Sequence, residues 1–140
     1  MSELSTTAAN FNWLIDNFVD STAGVTDALA VSSDGLLIAA SQTLDRVSAE
    51  QVAAIVTGLV SLSDGAARTF GFDGLQQVIV SMRGGFLFVS SISEGSAFGA
   101  VATSACDIGS VGYQTSLLVE RAGGMLTPAL IAELRTNALA

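Results

Sequence analysis

The chain reads as a small α/β module with the element order α-β-β-α-β-β-β-α and a short helical tail. Three observations predict it. Ser33-Asp34-Gly35 joins two apolar runs between Val25 and Ser41, and Asp-Gly between such runs is a strong hairpin signal. Helical periodicity brackets that hairpin on both sides. The second half then carries three apolar runs separated by short glycine-bearing connections, as an antiparallel meander requires.

Residues Thr6 to Ser21 place Phe11, Leu14, Ile15, Phe18 and Val19 on one helical stripe, with Asn12, Asp16, Asn17 and Asp20 opposite and Trp13 at the margin. Ser5 or Thr6 can cap the start, and Gly24 closes the helix. The hairpin strands follow near Asp27–Ser32 and Leu36–Ser41. After a polar loop from Gln42 to Val47, Ser48-Ala49-Glu50-Gln51 has the form of a capping box, and the second helix is expected to run to about Thr69.

That second helix has two apolar faces. Ile55, Leu59, Leu62 and Ala66, with Val52 alongside, form a bulky face expected to pack on a sheet. Ala53, Thr57, Val60, Asp64 and Ala67 form a face of mostly small residues on the other side. A helix apolar nearly all round is covered on both sides. The small face is therefore assigned to a partner helix, most simply from a second copy, against the alternative of an alanine-rich solvent face.

Strands are expected at Leu75–Met82, Phe86–Ser93 and Phe98–Ser104, divided by Arg83-Gly84-Gly85 and Glu94-Gly95-Ser96. Val78-Ile79-Val80 and Phe86-Leu87-Phe88-Val89 do not alternate, so both faces of that sheet should be covered. Asp107 is the expected N-cap of a third helix ended by Gly123-Gly124. Thr127-Pro128 starts a last short helix carrying Leu130, Ile131 and Leu134.

Composition narrows the function. The chain has 140 residues, enough for one domain, and half of them are hydrophobic. Mean hydropathy is +0.59. Charged residues make up only 13%, against about 25% in a typical soluble domain. No uninterrupted apolar window of about 18 residues exists to span a membrane. The N-terminus lacks the basic region and apolar core of a secretion signal, so a cytoplasmic location is expected.

The net charge of −8 comes from thirteen carboxylates against five arginines with no lysine. Nucleic acid and anionic lipid need clustered Lys or Arg, so neither is an expected partner. Without lysine there is no P-loop of the G-x-x-x-x-G-K-[ST] type. Without histidine there is no Ser-His-Asp, Cys-His or His-containing zinc arrangement. No cofactor, metal or catalytic residue is assigned. Asp16 and Asp20, at i and i+4, read as a solvated polar face. Cys106, the single cysteine, reads as a small buried hydrophobe. The glycine pairs Gly84-Gly85 and Gly123-Gly124 read as punctuation, not phosphate cradles.

From about Phe11 to Ala122 the chain resembles the Roadblock/dynein light chain family. The likeness is carried by a first helix running into G-V-T-D-A-L-A-V-S-S-D-G-L-L-I-A, with Asp34-Gly35-Leu36 at the hairpin tip and Ile38-Ala39 in its second strand. The resemblance implies an α/β sandwich of the α+β class: one five-stranded antiparallel sheet with helices on both faces. The chain is expected to form a single such domain with its core at about residues 6–124, and the resemblance leaves the role of the helical tail, 125–140, open.

The resemblance also implies a homodimer in which the second helix and third strand of each copy meet. Ala53, Thr57, Val60 and Asp64, with Gln77, Val78, Ile79 and Val80, would then lie at or near the seam. Family members bind small Ras-like GTPases or other regulatory proteins, so a non-enzymatic regulator of such a GTPase is expected. The alternative is an assembly or sensory module that binds a sensor-kinase-like protein or a small ligand without affecting GTP hydrolysis. Arg68 and Arg83 are the candidate partner-binding residues, since a bound GTPase could receive either as an arginine finger; an exposed turn arginine is more often a solubilising charge.

Overall fold

A computed structural model describes residues 5–93 and 95–138. The elements are α1 (Thr6–Ser21), β1 (Val25–Val31), β2 (Leu37–Ala40), α2 (Arg46–Phe70), β3 (Gln77–Met82), β4 (Gly85–Ser91), β5 (Ala97–Thr103), α3 (Ile108–Met125) and α4 (Pro128–Ala138). The expected α+β sandwich is present. Its single five-stranded antiparallel sheet has the order β2-β1-β5-β4-β3, so β1, β5 and β4 lie inside while β2 and β3 form the edges.

Alternation along each strand divides the core into two layers. Ala28, Ala30, Phe88, Phe98 and Ala100 face α1, α3 and α4, where Phe11, Ile15, Val111 and Leu134 meet them. Phe18 stands edge-on to Phe98 with ring centroids 5.1 Å apart. Leu29, Val31, Leu87 and Val89 point the other way and meet Ala53, Val56 and Val60 of α2. β4 is thus covered on both faces, as its unbroken apolar run predicts. β3 is covered less well, and Ile79 remains 42% exposed.

The seating of α2 differs from the sequence expectation: Ala53, Val60 and Ala67 of the expected small face are buried on the sheet together with Val56, while of the expected bulky face only Leu59 and Val52 pack, half-buried, on that core and Ile55 and Leu62 are 53% and 75% exposed. The cause is beneath the helix. A Cβ added at Gly99 would lie 2.8 Å from Val56 Cγ2 and 3.2 Å from Leu29 Cδ2, so helix and sheet are already in close contact there. The sheet supplies the bulk, and the helix must supply small residues.

Local signals moved some boundaries. The N-cap of α2 is Asp45, not Ser48: Ser48 donates its N–H (2.9 Å) and hydroxyl (3.0 Å) to the Asp45 carboxylate. An aspartate three residues before a serine outcompetes the capping box. α2 ends at Gly71, whose left-handed backbone (φ +72°) lets Phe72 N–H reach Ala67 C=O at 2.8 Å. α3 does not stop at Gly123-Gly124 but runs to Met125, and its end is set by Pro128, which disfavours helical backbone just before it. The Asp107 cap forms as expected, accepting from Ser110 N–H at 3.0 Å. In the β4–β5 connection Glu94 lies outside the described residues, and Ile92 N–H donates to Ser96 C=O at 2.7 Å.

The helical tail belongs to the core. Leu126, Leu130 and Leu134 are buried beside Ile38 and Ala39, so α4 covers the outer end of the sheet at β2. Its flanks are tied down as well. Glu133 accepts from Ser5 N–H (2.7 Å) and Ser5 hydroxyl (2.8 Å), and Arg135 Nη1 lies 3.3 Å from Asp34 Oδ2 at the β1–β2 tip. No helix of the described residues is long and apolar enough to cross a membrane.

Replacing Leu134 with Ala should cost about 2–5 kcal/mol in urea unfolding, because the side chain is almost wholly buried; a change within error would mean that α4 is not part of the core. Acid should loosen α4. The Ser5 N–H and hydroxyl hold the Glu133 carboxyl below its ordinary 4.5, and the Ser32 hydroxyl followed by the Arg135 guanidinium hold Asp34 below 3.8. Folded-state values below the unfolded ones contribute stability that is present above the unfolded values and lost as pH falls through the folded ones. Intrinsic-rate-corrected amide exchange in α4 should therefore rise on descending through pH 4 and below, and the double variant Glu133→Gln, Asp34→Asn should flatten that dependence.

Candidate functional site

The outward face of α2 is apolar and uncovered in the protomer. Ile55, Leu62 and Ala66 project from it, and Phe70, 70% exposed, ends it. Gly71 turns the chain so that Phe72 stacks on Phe70 with ring centroids 5.8 Å apart, and Phe72 too is 69% exposed. Monomeric soluble domains seldom leave so many large apolar side chains on one element.

This face is continuous with the open edge of the sheet. Ser63, Ala66, Phe70 and Phe72 share a groove of about 640 Å³ with Leu75 and Gln77 at the start of β3. β3 pairs only with β4, so its outer side offers unpaired backbone N–H and C=O groups. A flat apolar edge of this kind invites pairing with another chain.

The eight expected seam residues divide into three groups. Ala53 and Val60 are buried against this chain's own sheet and are not available to another chain, which corrects their assignment. Thr57 and Asp64 are half-buried on the flank of α2. Thr57 donates to Ala53 C=O at 2.8 Å and packs near Gly35 of the β1–β2 tip, while Asp64 Oδ1 accepts Leu75 N–H at 2.9 Å and fastens the loop into β3. Gln77, Val78, Ile79 and Val80 lie along the edge strand, with Val78 and Val80 turned to the α2 side and Ile79 to the other.

Arg68 and Arg83 are both exposed, and neither forms an ion pair among the described residues. Arg68 lines a cavity of about 290 Å³ between α2 and the two hairpin tips, with Ser33, Ser61, Asp64 and Gly95. Arg83 occupies the β3–β4 turn. β3 starts beside the end of α2 that carries Arg68 and finishes at Arg83, so its length of roughly 20 Å separates them. One protomer cannot direct both arginines at a single phosphate.

Other candidates resolve into structural roles. Asp16 Oδ1 accepts Gln42 N–H at 2.9 Å, which ties α1 to the end of β2. Cys106 is half-buried against Gly24, where an added Cβ would sit only 2.6 Å from the Cys106 Cβ. Among the described residues no group of three His, Cys, Asp or Glu side chains is placed to hold a metal. The sequence reading missed the Phe70–Phe72 pair. Its signal was F-G-F: two aromatics around a helix-stopping glycine cannot both follow the helix into the core.

The Roadblock/LC7 domain model matches residues 11–102. The chain is similar to a solved Roadblock/LC7 domain from Streptomyces avermitilis, with 32% identity, 79% of this chain and 92% of that one covered, and a TM-score of 0.74. The gliding protein MglB of Thermus thermophilus shares the fold at 15% identity, with 89% and 94% covered and a TM-score of 0.78. Profilin IA of Acanthamoeba castellanii is a more distant likeness of fold, at 16% identity, 81% and 97% coverage and a TM-score of 0.53. No curated protein matches the chain.

Proposed function

This chain belongs to the Roadblock/LC7 domain family, and we propose that it is a cytoplasmic, non-enzymatic homodimeric regulator that binds a small Ras-like GTPase and modulates its nucleotide cycle. The observation that carries the reading is the uncovered bulky face of α2 running into the open β3 edge. A second copy laid on this surface hides Ile55, Leu62 and the Phe70–Phe72 pair and can pair the free edge. Gln77, Val78, Ile79 and Val80 lie at that seam, and Thr57 and Asp64 border it.

The regulatory step is geometric. Tying β3 to β3 makes one wide, stiff platform from two sheets, and a GTPase whose switch loops fit it better in one nucleotide state is shifted toward that state by the difference in affinity. Arg68 and Arg83 are the partner-binding cations of a surface otherwise dominated by carboxylates. Because they stand at opposite ends of β3, they meet different parts of the GTPase.

The test is a titration of the protein into a GTP-loaded small Ras-like GTPase of the same genome, reading binding by calorimetry and hydrolysis by single-turnover phosphate release. Binding with a changed hydrolysis or exchange rate is expected, and Arg68→Ala and Arg83→Ala should each weaken binding by about 1–2 kcal/mol. A fall in hydrolysis of about 10³ or more for either variant would make that arginine a finger. Absence of binding to every such GTPase of that genome would overturn the proposal.

A further inference from the structure

The layer formed by α1 and α3 covers the side of the sheet opposite α2, and its outer surface carries two aromatic side chains that the protomer leaves open. Trp13 of α1 is 58% exposed and Tyr113 of α3 is 64% exposed. Neither is a core residue out of place, because Phe11 and Ile15 in α1 and Val111 and Leu118 in α3 already fill the core beneath them. Between the two helices runs a groove of about 250 Å³, with buried Leu14, Phe18 and Leu118 at its floor and exposed Leu117 on its wall.

The rims of this groove repeat one pattern. α1 ends and α3 begins at the same end of the sheet, where Gly24 lies against Cys106, so the two helices are antiparallel. Each carries an aromatic residue and, seven residues on, an exposed carboxylate: Trp13 and Asp20 in α1, Tyr113 and Glu120 in α3. At about 100° per residue the members of each pair share one outward ridge, about 10 Å apart along the axis. The antiparallel arrangement then places Asp20 and Tyr113 on the two rims toward one end of the groove, and Trp13 and Glu120 on the two rims toward the other. A carboxylate across from an aromatic ring is a receptor for a cation: the ring face attracts a Lys or Arg head, and the carboxylate pairs with it.

Charge selects the occupant. α1 and α3 carry Asp16, Asp20 and Glu120 against Arg121 alone, on a chain of net charge −8. A second copy, a nucleic acid or an anionic lipid surface is repelled here, and a basic segment is steered in. We infer that the groove between α1 and α3 binds a basic amphipathic helix of a partner protein, one with two Lys or Arg residues seven apart and apolar residues between them. Such a helix lies along the groove as a third member of the layer, its cations at the two ends and its apolar residues on Leu117. The sheet separates this groove from α2, so a copy docked on α2 leaves it free.

Trp13 is the only tryptophan of the chain, so its emission reads occupancy of the groove. The full chain is titrated with three synthetic helical peptides of about 15 residues. The first has two Lys seven apart with Leu between them on an Ala-Gln background, the second has Glu in place of both Lys, and the third is a scramble of the first with its Lys on opposite faces. The first should shift Trp13 emission saturably to shorter wavelength and bind about tenfold tighter than either of the others. The double variant Asp20→Asn, Glu120→Gln and the single variant Leu117→Ser should each weaken it about tenfold, whereas Glu50→Gln with Asp73→Asn, which removes the same charge elsewhere, should not. Circular dichroism and light-scattering mass should stay unchanged in all of them. Equal binding of the scramble, or equal weakening by the two charge-removing pairs, would mean a general attraction to an acidic chain and overturns the site. No shift up to about 1 mM of the first peptide overturns it as well. Emission that moves to shorter wavelength with protein concentration alone would make a second copy the occupant, and so would also overturn it.

Discussion

The close seating of α2 on the sheet at Gly99 is the constraint on which the remaining architecture depends. With Val56 already against the strand backbone at that point, the helix can bury only small or β-branched side chains, and Ala53, Val56, Val60 and Ala67 are what it buries. Ile55, Leu62 and Phe70, on the side of α2 away from that stripe, are left exposed. Tight packing on one side of the helix thus goes with an exposed apolar face on the other.

This explains which parts of the molecule were legible in the sequence. Element order, the Asp34-Gly35 hairpin, the antiparallel meander and the Asp107 cap are local properties, written in turn residues and periodicity, and they appear at the expected places within a few residues. The orientation of α2 is not local. Both of its faces are apolar, and the choice between them is made by Gly99, Leu29 and Leu87, which are distant in sequence and adjacent only after folding. Two helix boundaries were misread for a related reason: Ser48 and Gly123 each resemble a cap, but Asp45 and Pro128 nearby impose stronger local geometry. The free β3 edge was readable from the resemblance, whereas the Phe70–Phe72 stack required knowing that Gly71 turns the chain outward.

The two edges of the sheet are treated differently. β2 is four residues long, irregular in its pairing with β1 between Ala30 and Val31, and overlaid by α4, whose Glu133 and Arg135 reach Ser5 and Asp34. Such an edge is blunted against further pairing. β3 has six residues, regular register with β4 and no such cover. The open edge lies beside the exposed apolar face of α2, whereas the closed edge lies under α4.

Concentration-dependent hydroxyl-radical footprinting tests the central claim most directly, because it reads the faces of α2 and their coverage in one experiment. The account predicts that Ile55, Leu62 and Phe70 are oxidised readily in dilute solution and become protected as the protein is concentrated, while Val56 stays unreactive throughout. Protection of Leu62 at every dilution together with reactive Val56, or reactivity of Leu62 and Phe70 that does not change with concentration, would contradict it.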